Sequence, residues 1–595
     1  MVTRRLITSI FKDSPVRRVI LIAPPDVEAS LFSFATCKRG RYTNYEPYGL
    51  GMLAGRLRDI GIEIRILNLA SSVLRAARLA ERESDFDYDA VWRGDLADAV
   101  SDFQPDLVGV TCMFSQTHPM LVRVCADVAA LAPALPIAVG GVHVTNALAT
   151  PATRAALLAD LPMVSLFFRH ECDEAFPTFV RVVNGELPDD SLAQVLLRHG
   201  EEEADFSQRQ RPGVETLDAP PAHDLMRPDE LSRWGKVGAY FYMLPPETRF
   251  ATVQSNRGCR AQCTFCSVRN FNGMGVRRRS PTSVADELEW LRDDFGVRHV
   301  MWLDDDFLYD KRATLALFDE MVRRNLGMTW DCTNGVIAAS CDDEVVAAAA
   351  ASGCICLSLG MESGNREILK RIKKPGTVEN FLAAAEAIRK FPQIYSRVFL
   401  IIGFPGETFS QIADTVTVAR QMGLDWYQIQ LLQPLPNTPL FDSMVEDKLI
   451  KPEDFSGVRY AGGTFGKNAG KSAGGRDMLA RDFDGVFSSH RLDEVPSPAD
   501  MEDIWAYMVV HLNYLRLEAE DRPIKLEQYL GNLEYVSDVV APGDALALHF
   551  RQHLLAKLDR PASPEIAARL RNLLTTQPYW QERFAQFGWP MEIAS

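Results

Sequence analysis

The spacing of apolar residues changes period several times along the chain, and each change marks an element. Residues 19–23 form a short apolar run that stops at Pro24-Pro25, as a buried parallel strand does. Helical spacing follows over residues 49–59, then Gly61, then a strand-like run over 63–69. Residues 107–111 repeat the buried-strand pattern, 121–131 the helical one, and 137–139 run straight into Gly140-Gly141. Strands alternating with helices predict a parallel sheet covered on both faces, with ligands at the carboxyl ends of its strands.

The alternation stops over residues 166–249, where Glu201-Glu202-Glu203, Pro220-Pro221 and Pro245-Pro246 read as a connector. It resumes with six expected strands at 250–254, 299–303, 329–333, 356–360, 397–402 and 426–431. Six strands separated by helices predict a partial (β/α)6 barrel of the TIM type, with its chemistry at the C-terminal rim. Residues 457–475, rich in Gly and Lys, read as a linker. From Ser497 onward the spacing is helical, with Ile504, Met508, Leu512 and Leu515 on one face. Trp505, Tyr507, Tyr514 and Tyr529 are expected to pack among these helices. The expected α/β architecture is a doubly wound, Rossmann-like domain over 1–165, a connector over 166–249, the barrel over 250–445 and a mainly helical domain over 446–595.

Composition narrows the function classes. At 595 residues the chain exceeds one ordinary core, and 47% hydrophobic with 24% charged residues marks a globular protein that folds over most of its length. Lys and Arg number 64 against 79 Asp and Glu, a net charge of −15, which argues against a nucleic-acid partner. The basic run Arg277-Arg278-Arg279 is expected to be solvated surface. No apolar run reaches the roughly 18 residues of a membrane span, and the start carries no apolar stretch of signal-peptide length. Eleven cysteines, an odd number irregularly spread, fit a reducing cytoplasm and a metal site better than a disulfide framework.

Three of those cysteines bunch as Cys259-x3-Cys263-x2-Cys266 after the first barrel strand. Thiolates are the usual ligands of iron–sulfur clusters, and three from one loop reach three irons of a cube and leave the fourth open. A structural zinc site would want a fourth Cys or His close by, and none follows within the next 30 residues. The other eight, Cys37, Cys112, Cys125, Cys172, Cys332, Cys341, Cys354 and Cys356, are expected to serve as small hydrophobes.

This spacing, on a loop that opens a (β/α) barrel, resembles the radical S-adenosylmethionine superfamily. The resemblance implies a [4Fe–4S] cluster whose open iron binds S-adenosylmethionine, which one electron splits to a 5′-deoxyadenosyl radical. It implies that Phe265 lies beside the adenine and that the acids Asp304 and Asp305 meet the methionine amine. Glu362 and Ser363 would meet the carboxylate and ribose, and Gly403 and Gly406 would run along the adenosine. The first domain resembles the cobalamin-binding modules found ahead of such barrels, through Tyr48, Gly49, Thr111, Ser115, Gly140, Gly141 and His143. No Asp-x-His-x-x-Gly occurs in the chain, so the resemblance implies cobalamin without a histidine under the cobalt, with water or a side chain near Asn68 there instead. Residues 169–175 stand where many relatives carry Gly-Glu-Gly-Glu.

The function so implied is methylation of an unactivated carbon of a small molecule through methylcobalamin and the adenosyl radical. The other reading is a cobalamin-dependent radical oxidase, cyclase or ring-rearranging enzyme. Either needs a reducing partner such as flavodoxin or ferredoxin.

Overall fold

In the computed structural model, residues 2–238, 240–451 and 485–590 are described. The linker expected over 457–475 lies outside them. The chain builds two sheets and a helical C-terminal region. The first sheet comprises β1 (Arg18–Ala23), β2 (Glu63–Asn68), β3 (Leu107–Thr111), β4 (Ile137–Gly140), β5 (Leu166–Phe168), β6 (Val195–His199) and β7 (Glu202–Phe206). Its order is β2-β1-β3-β4-β5-β6-β7. The first five strands pair parallel and the last two antiparallel. The order 2-1-3-4-5 is a doubly wound one, with its switch point between β1 and β3.

Part of the stretch read as a connector therefore belongs to this sheet. β5 is only three residues long and β6 follows a helix over Ala175–Val183, so neither shows a long period. β7 carries Glu202 and Glu203 on an outer edge, where charge discourages further pairing.

The second sheet is made of β8 (Phe250–Val253), β11 (His299–Trp302), β12 (Thr329–Val336), β13 (Cys354–Glu362), β14 (Tyr395–Ile402) and β15 (Trp426–Leu431). A two-residue antiparallel ladder, β9 (Asn256–Arg257) with β10 (Arg277–Arg278), follows β8. All six long strands are parallel and stand in chain order. Side chains alternate between faces along a strand. One face carries Ala251, Val253, Val300, Trp302, Trp330, Leu357, Leu359, Val398, Leu400, Tyr427 and Ile429, all in one apolar core. The other carries Thr252, His299, Asp331, Thr333, Ser358, Arg397 and Gln428. A parallel sheet packed only for stability is apolar on both faces; this one has a polar inner face.

Helices Pro498–Val509 and Pro523–Tyr535 close the second sheet. Ile504, Met508 and Leu512 enter its core. The C-terminal aromatics are packing residues, as expected: Trp505 Nε1 donates to the Ile429 carbonyl at 3.1 Å, and Tyr529 Oη to Asp425 at 2.7 Å. Seven of the eight remaining cysteines are buried, and Cys172 is half-buried. No helix among the described residues is long and apolar enough to cross a membrane.

Two buried charge networks join the sheets. In one, His223 lies 2.8 Å from Glu287 and 3.5 Å from Glu46. Glu46 also accepts from Thr252 N–H at 2.5 Å, and Arg279 pairs with Glu287. In the other, Arg257 donates to both oxygens of Asp173 at 2.8 and 2.9 Å and to Glu171 at 3.2 Å, while Arg277 reaches Glu171 at 2.7 Å. The basic run is thus not the solvated surface expected. Arg279 is buried and Arg277 half-buried, because carboxylates from the first sheet's border and from the helix Pro281–Phe295 neutralise them.

Burial alone would depress the His223 imidazole, but the Glu287 and Glu46 carboxylates overcome it and raise its pKa from 6.5 to about 9. A raised folded-state pKa means stabilisation that is complete below pH 6.5 and lost as pH climbs through about 9. His223→Gln should therefore cost about 3 kcal/mol at pH 6, and less at pH 9.5. Thermal unfolding of both proteins across that range tests this; a gap that stays constant with pH removes the imidazolium from the account.

Candidate functional site

The cysteine loop is an excursion closed at its base by the β9–β10 ladder. At its neck Gly258 has φ +87°, and a Cβ there would lie 2.4 Å from the Gly275 carbonyl oxygen, so only glycine fits. Midway, Thr264 donates its N–H to the Ile372 carbonyl at 2.9 Å and accepts from Leu440 N–H at 2.9 Å. Around these pins Cys259, Cys263 and Cys266 are half-buried and form no disulfide. Burial pushes the Cys259 thiol up to about 12. It pushes Cys263 to about 11 against the pull of the Lys374 ammonium.

The three aspartates after β11 all serve this loop. Asp304, fully buried, accepts from Ser255 N–H at 2.9 Å, Ser255 Oγ at 2.5 Å and Asn256 N–H at 2.8 Å. Burial lifts its carboxyl to about 7 in spite of these donors. Asp305 accepts from Gly258 N–H at 3.2 Å and Asn272 Nδ2 at 2.7 Å, and burial lifts it to about 6. Asp306 pairs with Arg260 at 2.9 Å. Asp304 is engaged by the loop's own backbone, whereas Asp305 is half-buried.

At the end of β13 the register shifts between Gly360 and Glu362, and Glu362 takes the left-handed φ of 65°. Its carboxylate meets Lys374 Nζ at 2.7 Å, with both side chains buried about nine-tenths. A Cβ on Gly360 would lie 2.7 Å from that ammonium, so the glycine makes room for the pair. Ser363 turns inward to Thr415 Oγ1 at 3.2 Å. After β14, Glu407 accepts from Gly403 and Phe404 N–H at 2.7 and 3.2 Å, which fixes the turn holding Gly403 and Gly406 at positive φ. Phe265 leans on Phe404 with ring centroids 6.1 Å apart.

On the first sheet, Thr111, Ser115, Gly140, Gly141 and His143 lie together at the ends of β3 and β4. His143 Nδ1 is 3.2 Å from Ser115 Oγ, its Nε2 3.0 Å from His118 Nδ1, and His118 Nε2 2.9 Å from Asp160. Burial and the neighbouring His118 depress His143 to about 4. Gly141, at φ +104°, has the Cys112 carbonyl oxygen 2.5 Å from where a Cβ would stand. Its small size is demanded by the protein's own backbone. Tyr48 and Gly49 instead begin the helix Tyr48–Asp59, where Tyr48 is buried against His223. Asn68 caps the helix Leu69–Leu79 through Ser71 N–H.

Among the described residues no three His, Cys, Asp or Glu side chains converge as a single metal ion requires. A cubane asks for something else: three thiolates held apart, each on its own iron. Three half-exposed thiols on one pinned loop fit that demand. The sequence reading missed Lys374, Arg257 and Glu407. Lys374 shows only as Lys373-Lys374-Pro375, and Glu407 sits within the turn already singled out.

Residues 253–419 match the radical SAM superfamily model, and residues 40–152 match the B12 binding domain. The chain thus carries a radical SAM domain behind a B12-binding domain. The cofactors of such an enzyme are a [4Fe–4S] cluster, S-adenosylmethionine and cobalamin. Cytidylyl-2-hydroxyethylphosphonate methyltransferase of Streptomyces wedmorensis is 24% identical over 69% of this chain and 79% of its own length. Anaerobic magnesium-protoporphyrin IX monomethyl ester cyclase of Cereibacter sphaeroides is 25% identical over 59% of this chain and 55% of its own. The radical enzyme OxsB, solved with aqua-cobalamin and S-adenosylmethionine, shares the fold at a TM-score of 0.58 and 15% identity, over 98% of this chain and 82% of its own.

Arg257 lies two residues before Cys259 in this radical enzyme, so loosening it should loosen the cysteine loop. Arg257→Gln leaves Asp173 buried without its counter-charge, while Glu171 keeps Arg277, a cost of about 3 kcal/mol. The variant should unfold at a lower temperature and, after anaerobic reconstitution, hold less than the full complement of iron. Wild-type iron content would show that the loop does not depend on this pair.

Proposed function

We propose that the protein is a cobalamin-dependent radical methyltransferase acting on an unactivated carbon of a small molecule. The observation that carries this reading is the polar inner face of the second sheet, bounded by loops of both cofactor domains. The cysteine loop follows β8 at the rim. From the other side comes Tyr45, whose phenol is raised by burial and by Asp331 and Asp26 and pulled back by Arg397. Asp26 follows β1 of the first sheet, and Asp331 and Arg397 lie on the inner face. Tyr45 therefore lies within electrostatic reach of groups from both sheets.

Cys259, Cys263 and Cys266 would hold the cluster by their thiolates. Phe265, Gly403 and Gly406 would flank the adenosine, and Asp305 with Glu362 would meet the polar ends of the methionine. Asp304 and Ser363 would act one step back, through the loops they brace. Thr111, Ser115, Gly140, Gly141 and His143 would border the cobalamin. When bound, these groups supply a hydrogen-abstracting carbon radical and a methyl carrier. The chain's own contribution is to hold the substrate between them, so that orientation is settled before either reagent acts. Flavodoxin or ferredoxin in the cytoplasm would supply the electron. The cyclase among the relatives favours a second reading, oxidation, cyclisation or rearrangement without methyl transfer.

Anaerobic turnover with candidate metabolites separates the two. Methyl transfer yields both S-adenosylhomocysteine and 5′-deoxyadenosine, and S-[methyl-D3]adenosylmethionine passes its label to the product. Replacing any one of the three loop cysteines with Ala should abolish both products. Formation of 5′-deoxyadenosine alone, with an unlabelled product, would replace the first reading by the second.

A further inference from the structure

The inner face of the second sheet carries a charge that no ion pair among the described residues neutralises. Arg397 is the third residue of β14, half-buried, with the Tyr240 and Phe399 rings 5.7 and 5.4 Å from its guanidinium carbon. Its hydrogen-bond partner among the described residues is neutral, the Gln428 side-chain oxygen, and its Nε is buried without a partner. We propose that Arg397, flanked by Gln428, Tyr240 and Phe399, anchors an acid group of the substrate, a carboxylate or a phosphoryl group. This inference rests on the reading that a small molecule binds on this face.

A guanidinium withdrawn from water needs a counter-charge or it is costly. Three arginines more buried than Arg397 have one: Arg257 holds Asp173, Arg279 holds Glu287 and Arg169 holds Asp205. Neighbouring acids cannot serve Arg397, because they are already committed. Asp331 accepts from Thr333 Oγ1 at 2.5 Å and lies 2.9 Å from His299 Nε2. Asp425 accepts from Ser396, Lys525 and Tyr529 at 2.6 to 2.8 Å. The planar fork of an arginine matches the paired oxygens of a carboxylate or phosphoryl group.

Position separates this anchor from the S-adenosylmethionine region. Gly403 lies six residues further along β14 and its turn, on the order of 20 Å at the rise of an extended strand. Along β15 the inner face opens toward that end: Trp426 and Gln428 are half-buried and Gln430 is exposed. A substrate held by its acid group at Arg397 thus points its other end toward the rim.

The test uses the full chain loaded with cluster and cobalamin, titrated calorimetrically with benzoate and with phenylphosphonate. Wild-type protein should bind at least one of them, and which one it prefers tells carboxylate from phosphoryl recognition. Arg397→Gln should weaken that binding roughly tenfold or more, and Arg397→Lys less, since it keeps the charge but loses the fork. Gln428→Glu, which sets an internal carboxylate against an intact Arg397, should weaken it as well. Iron, cobalamin and S-adenosylmethionine binding should stay at wild-type levels in all three variants. Absence of binding to the wild type, or equal binding by Arg397→Gln or Gln428→Glu, overturns the proposal. So does loss of cobalamin or S-adenosylmethionine from Arg397→Lys, because the charge then belongs to a cofactor. Acid binding that depends on Arg397 in a protein that transfers no methyl label upholds the anchor and retires the methylation reading alone.

Discussion

The guanidinium of Arg257 ties the chemistry of the second sheet to the position of the first. It stands two residues ahead of Cys259 and is satisfied by Asp173 and Glu171, which lie between β5 and the helix Ala175–Val183. Water is excluded there, so neither side of the pair can exchange its partner for hydration. The cysteine loop is therefore held by a charge match with the cobalamin-binding unit rather than by contacts of its own unit alone. The Glu46–His223–Glu287–Arg279 network repeats the device further along the same junction. Apolar surfaces tolerate sliding; buried ion pairs do not, because a small displacement leaves a charge unpaired. Two such networks fix register between units that must present two cofactors to one substrate.

The alternation along the second sheet follows from the same requirement. Each strand sends one side chain to the helices and the next to the inner face, and the two sets differ in character as well as direction. Leu357, Leu359 and Met361 build the core, while Ser358, Gly360 and Glu362 on the same strand face inward. Folding needs only the first set. The second costs desolvation at every polar group, and its pairing is economical: His299 with Asp331, Tyr240 with Ser358, Lys374 with Glu362.

Much of this was legible in the sequence. The long strands announce themselves because each buries one continuous apolar face, and the cysteine spacing is local enough to read directly. Where the reading failed, the cause lay in partners distant in sequence. Arg277 and Arg279 look like solvated charges until Glu171 and Glu287 are brought against them. β6 and β7 were hidden by brevity and by the Glu run on their outer edge. Asp304 looks like a ligand for an amine, and only the fold shows it enclosed by Ser255 and Asn256. Lys374 carries no motif, and its meeting with Glu362 depends on the register shift at the end of β13.

The cysteine loop shows how rigidity and access are reconciled at the rim. Three thiols must be exposed enough to take iron, yet a loop free to move would present them in many arrangements. The chain pins the residues between and before the cysteines instead of the cysteines themselves. Gly258 is bound by Asp305, Arg260 by Asp306 and Thr264 by Ile372 and Leu440. Each anchor is a backbone group or a paired charge, so each is directional, and together they hold the loop while its three thiols stay half-exposed; Cys259 Sγ also accepts from Ala261 N–H at 3.4 Å. The acids after β11 accordingly act on the loop's shape before they act on any ligand. That is why a run of three aspartates follows β11, where a single carboxylate would be enough to meet an amine.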